Sequence, residues 1–209
     1  MAWQPPRQQV PLTCPFQRAR DCTEAVIRVA VLWSRLSGYF VSCLTELASR
    51  GVEVLLIHWP AHTSAPFAFP SSALPEKRYM RTEFRSPRHM QEAVFRFAPN
   101  IALVSGWMDP WYLLVALSLR RKGCTVVGAM DNQWRATPKQ VLAANLLGWA
   151  LRRVFSVLWV RGERAGQYAR RLGFRGTRLW RGLYLRSHPR TPRRWGSSNS
   201  GVARARGLA

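Results

Sequence analysis

The chain has 209 residues, 47% of them hydrophobic, which is enough for a sizeable core and too apolar for a wholly disordered polypeptide. Its formal charge is +22, yet only Lys77, Lys122 and Lys139 are lysine. The remaining cations are Arg scattered over many segments rather than gathered in a stripe, which argues against specific nucleic-acid binding, for which Lys serves as well.

In chain order, residues 1–26 hold Pro5, Pro6, Pro11 and Pro15 and no apolar run of signal-peptide length, so they are expected to form a disordered leader. The run Ile27 to Trp33 has the composition of a strand buried on both faces, and Ser34 to Tyr39 that of a glycine-containing turn. Phe40, Cys43, Leu44, Leu47 and Ala48 then recur at helical spacing up to Gly51, and Val52 to Ile57 reads as a second strand. This is one βαβ unit.

Pro60 to Pro87 is expected to be a long, proline-rich connection, functional or mobile, and Arg88 to Phe97 a short helix. Ile101 to Ser105 is a third strand. Asp109-Pro110 opens a helix to Arg121, with Asp109 as N-cap and Pro110 at the first helical position, and Thr125 to Met130 is a fourth strand. Thr137-Pro138 repeats the same opening for a helix reaching Arg153. Phe155 to Val160, Gly162 to Leu172 and Thr177 to Arg181 predict strand, helix and a last short strand. Strands alternate with helices throughout 27–185, which predicts an α/β, Rossmann-like doubly wound parallel sheet in a single domain.

Residues 186–209 carry six Arg, no acid and no periodicity, and are expected to be a disordered basic tail. Two origins fit that composition: a solvated ending, or the out-of-frame reading of a GC-rich gene. Residues 27–185 still carry 23 basic and 8 acidic residues, so the central part is itself basic.

Cys14, Cys22, Cys43 and Cys124 lack C-x-x-C spacing and have no histidine nearby in sequence, so no metal site is predicted. Cys43 and Cys124 fall in apolar elements as buried thiols, and a reducing cytoplasm is the expected compartment. The apolar stretch Val141 to Leu151 is too short to cross a bilayer, which leaves a soluble chain or one attached peripherally at the inner face of a membrane.

Open parallel sheets bind ligands beyond the carboxyl ends of their strands. The turns there hold Ser37, Gly38 and Tyr39, then His58 and Trp59, then Gly106 and Trp107, then Asp131 and Asn132. Aromatic faces beside amide, carboxylate and hydroxyl groups suit sugars. Blander roles stand beside each: Gly38 as tight entry into a helix, Trp107 as packing, Asp131-Asn132 as a turn, and His58 without a sequence-local acid to orient it. SRLSGY is not G-x-G-x-x-G, so a dinucleotide fingerprint is absent. The Arg152-Arg153 and Arg170-Arg171 pairs read as solvated faces or as contacts for anionic lipid.

Four segments carry a resemblance. IRVAVLWSRLSGYFVSCLTELASRGVEV resembles the opening of a GT-B fold glycosyltransferase of the family-4-like group. FRFAPNIALVSGW, VVGAMDNQW and LWVRGERAGQYARRLGF resemble later strands, turns and the late helix of the same amino-terminal domain. The resemblance covers about 27–185 and consists of patterns rather than catalytic signatures. It implies an acceptor-side domain facing a nucleotide-sugar-binding partner domain, with transfer of a sugar from a nucleotide-sugar donor to an acceptor hydroxyl. The acceptor is a sugar or a lipid-linked group, and no bound metal or cofactor is implied. The second domain's E-x-x-x-x-x-x-x-E-like signature has no counterpart in this sequence, so the resemblance implies a truncated half, inactive alone. The alternatives are a non-catalytic Rossmann-like binding module and a basic surface-binding protein. No catalytic residue is assigned.

Overall fold

The computed structural model describes residues 26–60, 72 and 74–182. The expectations for a leader and for a basic tail fall outside the described residues, Val26 excepted.

Seven strands form one all-parallel sheet in the order β3-β2-β1-β4-β5-β6-β7. In chain order they are β1 (Arg28–Trp33), β2 (Glu53–His58), β3 (Lys77–Met80), β4 (Ile101–Ser105), β5 (Thr125–Met130), β6 (Val157–Val160) and β7 (Leu179–Arg181). The helices are α1 (Gly38–Ser49), α2 (Pro87–Phe97), α3 (Pro110–Arg121), α4 (Pro138–Val154) and α5 (Glu163–Arg171). The chain is thus a Rossmann-like α/β domain, as the alternation of elements predicts.

The apolar runs become central strands because both faces are covered. In β1, Ala30 and Leu32 point to one core, while Val29 and Val31 point to the other. Phe40 and Leu44 of α1 cover Val29, Val31, Val54 and Leu56. The opposite face packs against Met90 and Val94 of α2, Tyr112, Val115 and Leu119 of α3, Leu151 of α4, and Ala165 and Tyr168 of α5. Crossover hand explains the division. From β1 the chain moves one way to β2, and from β4 it moves the other way to β5, so right-handed crossovers place α1 and α3 on opposite faces. The two directions part between β1 and β4.

Three helices start on a cap followed by proline. Ser86 Oγ accepts from His89 N at 3.2 Å, Asp109 Oδ1 from Trp111 N at 2.8 Å, and Thr137 Oγ1 from Gln140 N at 3.4 Å.

Three sequence expectations need correction. The connection expected over Pro60 to Pro87 contains β3 and a 3-10 turn over Arg81–Glu83. KRYM has no apolar run because it is an edge strand, paired on one side only and largely exposed. The strand expected from Phe155 begins at Val157: Phe155 caps α4, and its amide donates to Leu151 O at 2.8 Å. The arginine pairs are not simply solvated. Arg152 donates to Leu172 O at 2.8 Å, Arg170 is hydrogen-bonded to Glu163, and Arg171 lies 4.4 Å over the Trp134 ring.

Candidate functional site

The sheet's carboxyl edge opens into a crevice where β1 and β4 end side by side. Ser105 closes β4, and its Oγ accepts from Ser34 N at 2.8 Å and lies 3.1 Å from Ser34 Oγ. This joins the two diverging chain directions across 71 residues of sequence and forms the crevice floor. Two cavities flank it, and Ser34, Arg35, Ser105 and Met108 line both.

The first cavity, about 360 Å³, gathers three turns. Ser37 and Tyr39 come from the β1–α1 turn, Gly106 and Trp107 from the end of β4, and Asp131 and Asn132 from the end of β5. Six of the nine turn residues singled out in the sequence thus share one cavity. Gly38 is the first residue of α1 and exposed, and His58 and Trp59 lie outside this cavity. Gly106 adopts φ 67°, a left-handed conformation that suits glycine, and its amide donates to Val104 O at 2.9 Å to turn the chain into the cavity. Trp107 has two environments: it lines the cavity, and it meets the Tyr168 ring edge-on at 6.2 Å. Asp131 and Asn132 are exposed, and Asp131 has no ion pair among the described residues.

The second cavity, about 630 Å³, is aromatic: Trp59, Pro60, Pro110, Trp111 and Met108 line it together with Arg81 and Asp109. Among the described residues Arg81 and Asp109 are the buried charged ones, each 8% exposed. Arg81 Nε donates to Asp109 Oδ2 at 3.0 Å, and its guanidinium lies 3.5 Å from the Trp111 ring centre and 5.6 Å from that of Trp59. Trp59 Nε1 donates to the same Oδ2 at 3.1 Å. One carboxylate therefore caps α3 with Oδ1 and ties the loop after β2 to the turn after β3 with Oδ2. Beneath it the Tyr112 hydroxyl lies within hydrogen-bond reach of Trp33 O and Ile57 O, at 3.4 and 3.3 Å. Burial, with the Asp109 carboxylate nearby, pushes the Tyr112 phenol well above its ordinary range.

Sequence reading placed Trp59 at this edge but missed the rest of the second wall. Asp109-Pro110 announced a cap, but nothing local announced Arg81, 28 residues earlier in a proline-rich connection. His58 lines neither cavity, and its Nδ1 sits 2.8 Å from Trp59 O. Among the described residues no three of His, Cys, Asp and Glu gather as metal ligands, and no helix is long and apolar enough to cross a membrane. Burial pushes the Cys124 thiol up to about 11.

No protein-family model and no curated protein matches the chain. The fold and the position of the crevice define the class of protein at the level of architecture: a Rossmann-like α/β domain with a ligand-sized crevice at the point where its strand order reverses.

Proposed function

We propose that this chain is the amino-terminal, acceptor-side domain of a GT-B fold glycosyltransferase, serving transfer of a sugar from a nucleotide-sugar donor to an acceptor hydroxyl. The observation that carries this reading is the gathering of Ser37, Tyr39, Gly106, Trp107, Asp131 and Asn132 around one cavity at the reversal of strand order. These groups suit a pyranose. Tyr39 and Trp107 offer flat apolar faces to ring carbons, while Asp131, Asn132 and Ser37 offer acceptors and donors to hydroxyls. The adjoining aromatic cavity has room for the remainder of an acceptor, either a second sugar or the first carbons of a lipid-linked group. The donor's base and phosphates are contacted, on this reading, by a second Rossmann-like domain. The 209-residue chain by itself then binds acceptor without turning over donor.

Saturation-transfer NMR with a panel of pyranosides and glycolipid headgroups tests the reading. The expected result is contact through one ring face and about tenfold weaker binding in Asp131→Ala and Asn132→Ala, whose exposed side chains leave the core untouched. Absence of binding by any panel member at millimolar concentration, or binding that both substitutions leave unchanged, refutes it. So does a clear sugar-transfer rate from the purified chain alone.

A further inference from the structure

The two cavities of the crevice share a boundary, since Ser34, Arg35, Ser105 and Met108 line both. The hydrogen bonds at that boundary have a direction. Ser34 N donates to Ser105 Oγ at 2.8 Å, and Ser105 Oγ donates in turn to Ser34 Oγ at 3.1 Å. The Ser34 hydroxyl has therefore accepted a bond, while its own hydrogen has no acceptor among the described residues. Donors chained in this way polarise one another, so the boundary ends in a strengthened donor.

On either side of Ser34 the chemistry differs. In the first cavity Ser37, Asp131 and Asn132 have side chains that can meet hydroxyls. In the second the polar groups beyond the boundary are already engaged. Asp109 Oδ1 accepts from Trp111 N and Tyr112 N, and Oδ2 from Arg81 Nε and Trp59 Nε1. A sugar ring there would leave hydroxyls unmet, a cost that an apolar group avoids. Arg81 also lines this space, with its guanidinium 3.5 Å from the Trp111 ring centre. A cation in an apolar wall favours the π face of an aromatic ring over an alkyl chain.

We propose that the crevice takes one ligand across both spaces, an aryl glycoside, with its pyranose in the first cavity, its aryl ring in the second and its glycosidic oxygen accepting a hydrogen bond from the Ser34 hydroxyl. The sugar end rests on the function proposed above; the aryl end and the Ser34 contact do not. A glycosidic oxygen is the atom that joins a polar half to an apolar half, and Ser34 is the donor that stands where the polar cavity meets the apolar one. Arg35, which is exposed, offers a second donor to the same atom. Met108 is 82% exposed and borders both spaces, so its thioether can lie against the edge of the ring. Ser105 acts through Ser34, whose amide and hydroxyl it holds in place.

Calorimetric titration of the full chain with methyl, n-hexyl and phenyl glucosides and mannosides tests the proposal. The phenyl glycoside of whichever sugar binds is expected to bind about tenfold tighter than the methyl one, and tighter than the hexyl one of equal carbon count. A methyl glycoside that binds as tightly as the phenyl one overturns this inference and leaves the sugar reading standing. A hexyl glycoside as tight as the phenyl one overturns the aryl end. Binding by none of them overturns both readings. The Ser34 contact is read by a cycle between protein and ligand. Replacing the linking oxygen by a methylene should weaken binding to the parent about fivefold, whereas Ser34→Ala should bind the two ligands alike. The same fivefold ratio in Ser34→Ala as in the parent overturns the contact. Met108→Gln, at an exposed position that leaves the core intact, should reduce the advantage of phenyl over methyl about threefold. An unchanged advantage places the ring elsewhere on the surface and overturns the proposal.

Discussion

Removing the Asp109 carboxylate should unfold the crevice from its aromatic end. In Asp109→Ala the Arg81 guanidinium keeps its place between Trp59 and Trp111 but loses its ion-pair partner in a site where the two side chains are only 10% and 6% exposed. Stranding one member of a buried pair costs about 3–5 kcal/mol. The same change frees the Trp111 and Tyr112 amides at the start of α3, adding about 1 kcal/mol for the lost cap. The stacking on Trp111 is present in both chains and cancels, so the expected loss is about 4–6 kcal/mol, against a total of about 5–15 kcal/mol for a domain. Asp109→Asn keeps the cap and loses the charge, so it should fall between parent and alanine variant. The double variant Arg81→Met, Asp109→Ala removes the stranded cation and should recover most of the loss, leaving roughly the cap contribution of about 1 kcal/mol. Urea unfolding followed by far-ultraviolet dichroism gives all four free energies. A loss below about 1 kcal/mol in Asp109→Ala, or a double variant no more stable than it, refutes the reasoning about a buried pair.

Three further outcomes concern Tyr112, Gly106 and Cys124. The Tyr112 phenol is raised by burial, so its contribution to stability is fully present below the ordinary tyrosine pKa and is lost as pH rises beyond it; Tyr112→Phe should flatten the alkaline limb of a stability–pH profile, and an unchanged limb counts against the assignment. Gly106→Ala meets no close atom, its nearest neighbour being Ala129 O at 3.6 Å, so the cost is one of backbone conformation, about 1 kcal/mol by thermal melting. Cys124 is buried, with its thiol raised to about 11, so peptide mapping after brief iodoacetamide treatment at neutral pH should find it unmodified until urea is added. Rapid labelling of Cys124 in the native chain would show that the end of α3 opens locally.

What could be read from sequence follows from range. The strands of the sheet centre are legible because burial on both faces demands contiguous apolar residues, and Val29 to Leu32 or Val126 to Met130 have no other destination. The cavity of Ser37, Trp107 and Asp131 was legible for a related reason: parallel strands end on one side, so their turns converge whatever the loops contain. The edge strand β3 was illegible because KRYM needs apolar character on neither face. Arg81 was illegible because its partner is set by how a proline-rich connection folds back. The pair Arg152-Arg153 shows the limit at its smallest: one side chain turns in to Leu172 O and its neighbour turns out over Trp149. No local pattern separates them.

Charge also separates what this chain attracts as a whole from what its crevice can select. The formal total is +22, but the charged residues lining the two cavities are Arg35, Arg81, Asp109 and Asp131. Arg81 and Asp109 neutralise one another, which leaves Arg35 and Asp131 as the other charged lining residues. The crevice is therefore locally balanced, and basic groups elsewhere are screened over about 8 Å at physiological ionic strength. A phosphate entering it would meet one exposed arginine and one exposed carboxylate, whereas an uncharged polyol would find donors, acceptors and ring faces. The excess positive charge lies instead outside the two cavities, as at Arg152 and Arg153 in the last turn of α4. If the crevice takes an uncharged polyol, raising ionic strength should leave that binding nearly unchanged while weakening any adsorption of the basic chain to anionic surfaces.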